Sequence, residues 1–254
     1  MAMAERPAQP RDHPPYGGQA VIEGVMMRGT DICAVAVRKE LGRIVTTVRP
    51  IDSLITRHPR LNKPVLRGLI ALYDTIRLGI WAIQWSAEVL LDKPASPWTS
   101  VLAGAVALLL FVFLPERAAA ATGPWLKADW QLSTLEGLVR VALFALYFFA
   151  ISRLRDVQRI FRYHGAEHRT INAFEAGVPL EVGRVQQFAS VHDRCGTNFV
   201  MVVLVVTLVV FAVLPWGTFA ERILLRLLPL PLLAGASYEL VRLAARRADL
   251  KPVR

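Results

Sequence analysis

The sequence predicts an α-helical multi-pass membrane protein, with about four transmembrane helices, one interfacial amphipathic helix and a small N-terminal cytosolic β unit. Hydrophobic residues make up 54% of the 254 residues, and the mean hydropathy is +0.39, which is too apolar for an ordinary soluble domain. Most of these residues form long blocks without helical or strand periodicity, as membrane spans do. The segment before the blocks alternates β-branched with other residues, which is typical of strands.

The charge of the chain fits a membrane protein better than a nucleic-acid-binding protein. The formal net charge is +10 and the isoelectric point is about 10.3. The arginines flank the apolar blocks, and no basic stripe is interleaved with exposed aromatic residues. We therefore expect anionic lipids at the cytosolic face as partners, and no nucleic acid.

The N-terminus begins with a polar segment, residues 1–15, that holds charges and four prolines. It has no apolar core of the kind that a cleavable signal peptide requires, so we expect a disordered tail. The chain contains two cysteines, Cys33 and Cys195. Two are too few for a disulfide framework, so each is predicted to be a metal ligand or a plain buried thiol.

Residues 16–56 are predicted to form a small three-stranded β unit. A glycine turn and an apolar run come first, YGGQAVIEGVMMRG, and two alternating stretches then meet at a hairpin over residues 40–42. About 40 residues bury too little core to fold alone, so this unit must dock on another part of the chain. Glu23 lies among apolar residues, where an acid needs a partner. It is expected either to pair with Arg28 or to reach the histidine site as a ligand or base.

A basic linker and an amphipathic helix, residues 57–97, separate the β unit from the first span. The helix is expected from Leu66 to Leu91, and its charged and polar residues favour an interfacial position over a spanning one. Four spans follow, within segments 98–151 and 198–241: Trp98–Leu114, Leu135–Ile151, Phe199–Leu214 and Ile223–Leu240. The last of them is interrupted by Arg226, Pro229 and Pro231.

The distribution of arginine predicts the topology. Four spans place residues 1–97, the segment 152–197 and the tail 242–254 on one side, and all three are rich in arginine where they meet the membrane. The loops near 115–134 and 215–222 are balanced in charge. By the positive-inside rule, both termini are cytosolic in the plasma membrane.

The most informative motif is YHGAEHRTINAFE, residues 163–175. His164, Glu167 and His168 form an H-x-x-E-H set, whose histidines lie one helical turn and about 6 Å apart on the same face. That spacing presents two imidazoles to one metal ion, and the glutamate is placed as general base for its water, in the order of the inverted zincin motif. The alternative is a set of interfacial polar residues without a metal.

A helix is expected over residues 157–176, with Gly177 as its C-cap before a proline. Glu175 shares the histidine stripe but is about 10 Å along the axis from His168, too far to bind the same ion. It is expected either to pair with an arginine such as Arg169 or Arg184 or to have a catalytic role. Gly165 costs about 1 kcal/mol inside a helix, which indicates close approach by another backbone or a substrate.

Further ligands are expected from HDRCGTNF, residues 192–199. Cys195 precedes the third span, where a helix N-terminus and Arg194 favour its thiolate, and Thr197 or Asn198 is the expected cap. If His164, His168, His192 and Cys195 all bind, the site is closed and structural. If only three bind, a position remains for water, with Glu167 as base. Histidine and cysteine ligands favour zinc over iron or manganese.

These motifs, together with LRG at residues 66–68, resemble the YqhQ-like bacterial membrane protein family, domain of unknown function 1385, over essentially residues 16–247. The resemblance implies a multi-pass membrane protein and a predicted metal-dependent enzyme without an established reaction. It also implies that the family's motif positions fall on Glu23, His164, Glu167, His168, His192 and Cys195. The family commonly has proline where this chain has Asp193, an additional candidate ligand. Its members usually continue with a soluble tail, for which we expect no counterpart here.

Two functions are compatible with this pattern. The first is a cytosol-facing, membrane-bound hydrolase in which Glu167 is the base, Glu23 assists, and Arg28 and Arg194 bind a phosphate or carboxylate of the substrate. The second is a scaffold, assembly factor or transporter component with a structural metal site. Against transport, the clearest spans contain almost no ionisable residues, whereas transport pathways usually need them.

Overall fold

The structure, a computed structural model, describes residues 16–94, 96–192 and 195–248. The predicted tail, residues 1–15, lies outside this range. The strands are β1 Gly17–Val21, β2 Gly24–Arg28, β3 Ile32–Arg38 and β4 Ile44–Pro50. The helices are α1 Leu54–Arg57, α2 Leu66–Leu91, α3 Pro97–Leu108, α4 Leu114–Ala120, α5 Asp129–Ile151, α6 Arg155–Glu175, α7 Val182–Val185, α8 Gly196–Ala212, α9 Phe219–Leu227 and α10 Leu230–Ala248. A π-helical turn, Leu109–Phe113, joins α3 to α4, and short 3-10 turns occupy Glu40–Gly42 and Pro59–Leu61.

The chain divides into two compact units. The first comprises residues up to 52, 77–95 and 154–193, and therefore holds the sheet, the C-terminal part of α2 and α6. The second comprises residues 53–76, 96–153 and 194 onward, and holds the long apolar helices.

The sheet of the first unit has four antiparallel strands in sequence order, not the three that were predicted. The first glycine-rich motif is itself a hairpin, because Val21 pairs with Gly24 and leaves a two-residue turn at Ile22 and Glu23. Glu23 adopts a positive φ of 53° there. The hairpin predicted at residues 40–42 is confirmed, since β3 and β4 pair across it.

The core of the first unit lies between the sheet and α2. Alternate side chains of the strands point to one face, where Leu78 and Ala82 of α2 meet them; the buried strand residues are Val21, Met26, Cys33, Val35 and Val37. Helix α6 packs on β1 and β2. The β unit, which was expected to dock on another part of the chain, thus packs on both α2 and the histidine helix.

The second unit is helical. Among the described residues, three helices are long and apolar enough to cross a membrane: Trp98–Ala120, Asp129–Ile151 and Phe219–Ala244. The predicted third span corresponds to α8, an apolar helix of 17 residues. The predicted fourth span lies within Phe219–Ala244, where α9 and α10 meet at Leu228 and Pro229.

Candidate metal centre

Helix α6 carries the H-x-x-E-H motif and begins and ends close to the predicted residues. Gly177 has a φ of +69°, and its N–H donates to the Phe174 carbonyl at 2.9 Å. The N–H of Val178 reaches back to the Ala173 carbonyl at 3.0 Å. This left-handed cap satisfies the last carbonyls of the helix, as the glycine predicted.

The two histidines of the motif lie together. Their ring centroids are 4.3 Å apart, and each offers a ring nitrogen within 4.8 Å of the other's. His168 is buried, whereas 30% of the His164 side chain is exposed. The pair therefore has one protected imidazole and one that solvent reaches.

Glu167 lies between these imidazoles. Its Oε2 is 3.6 Å from Nε2 of His168 and 3.9 Å from Nε2 of His164. The side chain is 2% exposed, and Oε2 has no hydrogen-bond partner in the described part of the chain. Burial raises the pKa of Glu167, while positive charge on the neighbouring imidazoles lowers it.

The glutamate is covered by strand β1. A Cβ added at Gly18 would overlap Oε1, Cδ and Cγ of Glu167, so only a glycine lets the strand lie this close. The neighbouring Gly17 has open space around it. Gly18, the second residue of β1, therefore contributes directly to the histidine site, a role that the predicted glycine turn did not reveal.

The loop after α6 brings His192 to the same place. The rings of His168 and His192 are 5.9 Å apart. Asn172 holds the loop by donating from Nδ2 to the carbonyls of Ala189, at 2.9 Å, and Val191, at 3.0 Å. A Cβ on Gly165 would be 3.4 Å from the Ser190 side chain, so the close approach expected at this glycine is made by the loop.

The loop also sets the proton position on His168. Nδ1 of His168 lies 2.9 Å from the Ser190 carbonyl, which can only accept a hydrogen bond. Nδ1 must therefore carry the proton, and Nε2, on the side of Glu167, keeps a lone pair. A backbone carbonyl on the second nitrogen is the usual way in which proteins orient a histidine that binds a metal.

Glu175 contacts a histidine that the sequence did not predict as its partner. Its Oε2 lies 3.4 Å from Nε2 of His192, so the helix end supplies a carboxylate to the incoming imidazole. The expected partners were arginines, and sequence spacing alone did not reveal that the loop returns to the helix end. A hydrogen bond from Nε2 to Glu175 requires that this nitrogen of His192 carries a proton.

Glu23 reaches α6 one turn before the histidines. Its Oε2 accepts hydrogen bonds from Nη2 of Arg159, at 2.5 Å, and from the hydroxyl of Tyr163, at 3.3 Å. Burial, together with the Glu23 carboxylate, raises the pKa of Tyr163. Glu23 is thus paired with the residue that precedes His164 in the chain, and Arg159 is a partner that sequence reasoning missed.

The remaining predicted residues are distributed as follows. Arg28 ends β2 opposite Cys33, and burial raises the pKa of the Cys33 thiol although the charges of Arg28 and Arg49 lower it. Cys33 is a core thiol.

Cys195 belongs to the second unit and is the N-cap residue of α8, a position predicted for Thr197 or Asn198. Arg194 and Asp193 lie outside the described residues.

The comparisons with known proteins agree on one family. The family model DUF1385, described as a protein of unknown function, matches residues 63–254. The uncharacterized protein YqhQ of Bacillus subtilis (strain 168) is 28% identical over 262 aligned positions, which cover 93% of this chain and 81% of the relative. No solved structure matches the chain.

Proposed function

The chain belongs to the DUF1385 family, whose function is unknown, and from its own residues we propose that it is a membrane-bound, metal-dependent enzyme, most readily a hydrolase. The observation that carries the proposal is the Glu167 carboxylate. Its Oε2 is buried, lacks a hydrogen-bond partner in the described chain and faces the Nε2 atoms of two imidazoles. A buried charge without a partner costs several kcal/mol, so this oxygen requires a proton or a cation.

The residues present fit a divalent metal, for which zinc is the natural choice. His168 would bind through Nε2, because its Nδ1 donates to the Ser190 carbonyl, and His164 and His192 would supply the other two imidazoles. Cys195, three residues after His192 in the sequence, is the proposed fourth ligand. Three nitrogen ligands with one further position, or four ligands in all, are the two usual arrangements for zinc.

When bound, the metal supplies Lewis acidity; the protein supplies the proton transfer and the shape. Glu167 is raised in pKa by burial and takes a proton from the attacking water at Oε2, then returns it to the leaving group. Strand β1, at Gly18, excludes solvent from one side of that carboxylate. The Glu23 pair with Arg159 and Tyr163 holds the first turn of the motif, and Arg28 and Arg194 remain proposed contacts for an anionic substrate.

We propose further that the site faces the cytosol from the plasma membrane, with four spans and both termini inside. The apolar helices of the second unit and the arginines that flank them support this topology. Reporters placed at Gly42 and Gly177 should be cytosolic and a reporter at Gly123 should be outside. Gly123 and Gly177 reporting the same side would exclude it.

The catalytic proposal is tested by metal content and complementation. His168→Ala should lose both the metal and function in a deletion strain. Glu167→Gln keeps volume and hydrogen bonding while removing the base, so it should retain the metal and the melting temperature but fail to complement. A Glu167→Gln protein that complements fully while His168→Ala only lowers the melting temperature would show a structural metal and end the hydrolase proposal.

A transporter component is the second candidate, because one observation favours it. The sequence indicated spans nearly free of ionisable residues, yet Glu136, Arg140 and Arg226 are buried inside the apolar helices of the second unit. Ionisable residues within membrane helices commonly mark a pathway for ions or substrates.

A further inference from the structure

The second unit contains a buried cluster of five charged side chains, which we call the arginine cluster. Its members come from three helices and are each at most 9% exposed: Glu116 of α4, Glu136 and Arg140 of α5, and Arg222 and Arg226 of α9. Their helices include parts of all three stretches that are apolar enough to cross a membrane. No part of this cluster belongs to the histidine site.

The cluster is held by direct ion pairs between helices. Arg222 donates from Nε and Nη2 to Oε1 of Glu116, at 2.9 and 2.6 Å. Glu136 accepts from two arginines, with Arg226 Nε on Oε2 at 2.9 Å and Arg140 on Oε1. Both oxygens of Glu136 are therefore occupied, and helix α9 is tied to both α4 and α5.

Helix irregularities surround the cluster. Pro115 has no N–H, so the carbonyl four residues earlier, that of Phe111, loses its helical donor. Arg140 supplies one instead, from Nε at 2.8 Å, and the π-helical turn lies at the same place. Pro229, at the junction of α9 and α10, follows Arg226 by three residues. Interrupted membrane helices beside buried charges are the architecture in which transport proteins bind small ions.

The charges of the cluster do not balance. Three guanidinium groups face two carboxylates, which leaves an excess of one positive charge. Arg117, which lies 3.5 Å from Glu116 Oε2, is also positive and is largely exposed. Leaving one buried charge uncompensated is more costly than any gain from tying helices together, a task that apolar residues perform equally well.

The cluster leaves one acceptor and one donor without a hydrogen-bond partner among the described residues, Oε2 of Glu116 and Nη1 of Arg226, and the donor lies on the side of the excess charge. Nη1 of Arg226 is buried and has no hydrogen-bond partner among the described residues, although the side chain is 1% exposed. The rings of Phe211 and Trp216 lie 5.3 and 5.7 Å from its guanidinium carbon, which stabilises the cation in part. A ring face does not replace an acceptor for the N–H groups of Nη1.

We propose that the arginine cluster binds one small monovalent anion, such as a halide or a carboxylate, at Nη1 of Arg226. The single excess charge sets the valence. The complete burial of the donor favours a small ion over a headgroup or a nucleotide. This site is separate from the proposed hydrolase and stands whether or not the histidines bind a metal.

The test uses the full chain purified into nanodiscs in sodium gluconate, an anion too large for the site. Chloride, acetate or phosphate replaces gluconate at constant ionic strength, and thermal unfolding is followed. The melting temperature should rise with the logarithm of chloride or acetate concentration, as expected for a ligand that binds the folded state. Arg226→Lys keeps the charge but removes Nη1 and should raise the required concentration at least tenfold.

Arg117→Gln is the matched control, since it removes an exposed guanidinium beside the same cluster and should leave the titration unchanged. If Arg226→Lys does not fold, the ³⁵Cl NMR signal tests chloride binding instead. The wild-type protein should broaden that signal, and acetate should reverse the broadening. The proposal is overturned if neither chloride nor acetate alters wild-type stability or the chloride signal, if phosphate alone acts, or if Arg226→Lys responds as the wild type does.

Discussion

Gly18→Ala is the most direct test of how the β unit builds the histidine site. The added methyl group would overlap three atoms of the Glu167 side chain, so either the strand or the glutamate must move. Forcing a methyl group into a packed site typically costs about 1–3 kcal/mol. For a chain of this size, each kcal/mol lowers the melting temperature by about 2–4 °C, so a loss of roughly 2–12 °C is expected.

The same substitution one residue earlier is the control. No heavy atom lies within 4 Å of a Cβ at Gly17, so Gly17→Ala should leave stability unchanged or raise it by about 0.4–1 kcal/mol through the unfolded chain. The two variants share composition and strand, and differ only in whether the methyl group meets Glu167.

The assay is differential scanning fluorimetry of both variants, with zinc affinity measured by competition with a chelating dye. Displacing a carboxylate that contacts the ligands should weaken zinc binding by about 10–100-fold in Gly18→Ala, and Gly17→Ala should bind as the wild type does. Equal behaviour of the two variants in both measurements would show that β1 does not rest on Glu167.

Three further predictions concern the cysteines and the end of α6. Maleimide at pH 7 should label Cys195 in the folded protein and leave the buried Cys33 unlabelled, with zinc slowing the reaction, as read by intact mass. Burial raises the pKa of the Cys33 thiol above its ordinary value of 9.0, so the folded protein favours the protonated thiol. The resulting contribution to the free energy of unfolding is complete below pH 9.0 and is lost as the pH rises above it. Cys33→Ala should therefore flatten the alkaline fall in melting temperature. Glu175→Gln should weaken zinc binding about 10–100-fold through His192, whereas the exposed Glu181→Gln should not.

Much of the fold follows from local sequence signals. The bounds of α2, the hairpin at residues 40–42 and the glycine cap of α6 are set by apolar periodicity and by glycines, which act within a few residues. The division of the first stretch into β1 and β2 was not predicted, because the turn between them holds Glu23 at a position that favours glycine or asparagine. Its left-handed backbone is stabilised by pairing with α6, a contact that lies more than 130 residues away in sequence.

The candidate site was predictable in its residue types but not in its supports. The spacing of His164 and His168 fixes their common face, and the nearby second motif indicated His192. The Ser190 carbonyl, the Glu175 carboxylate and the bare backbone of Gly18 are invisible in a motif, because each depends on where a loop or strand returns. The sequence analysis also underestimated the charged residues buried within the spans. The partners of these ion pairs are far apart in the sequence, between residues 116 and 226, so no local pattern indicates them.

The supports around Glu167 imply that the first unit and the proposed metal would stabilise each other. About 40 residues of sheet cannot fold alone, and α6 contributes Glu167, whose buried Oε2 has no hydrogen-bond partner among the described residues. Strand β1 closes over Glu167 only because Gly18 has no side chain, and that closure removes water from the carboxylate. A cation at this position offsets the cost of burying the acid and is held in place by the closure. Metal binding and docking of the sheet should therefore be one cooperative event, so chelation should release the sheet from α6.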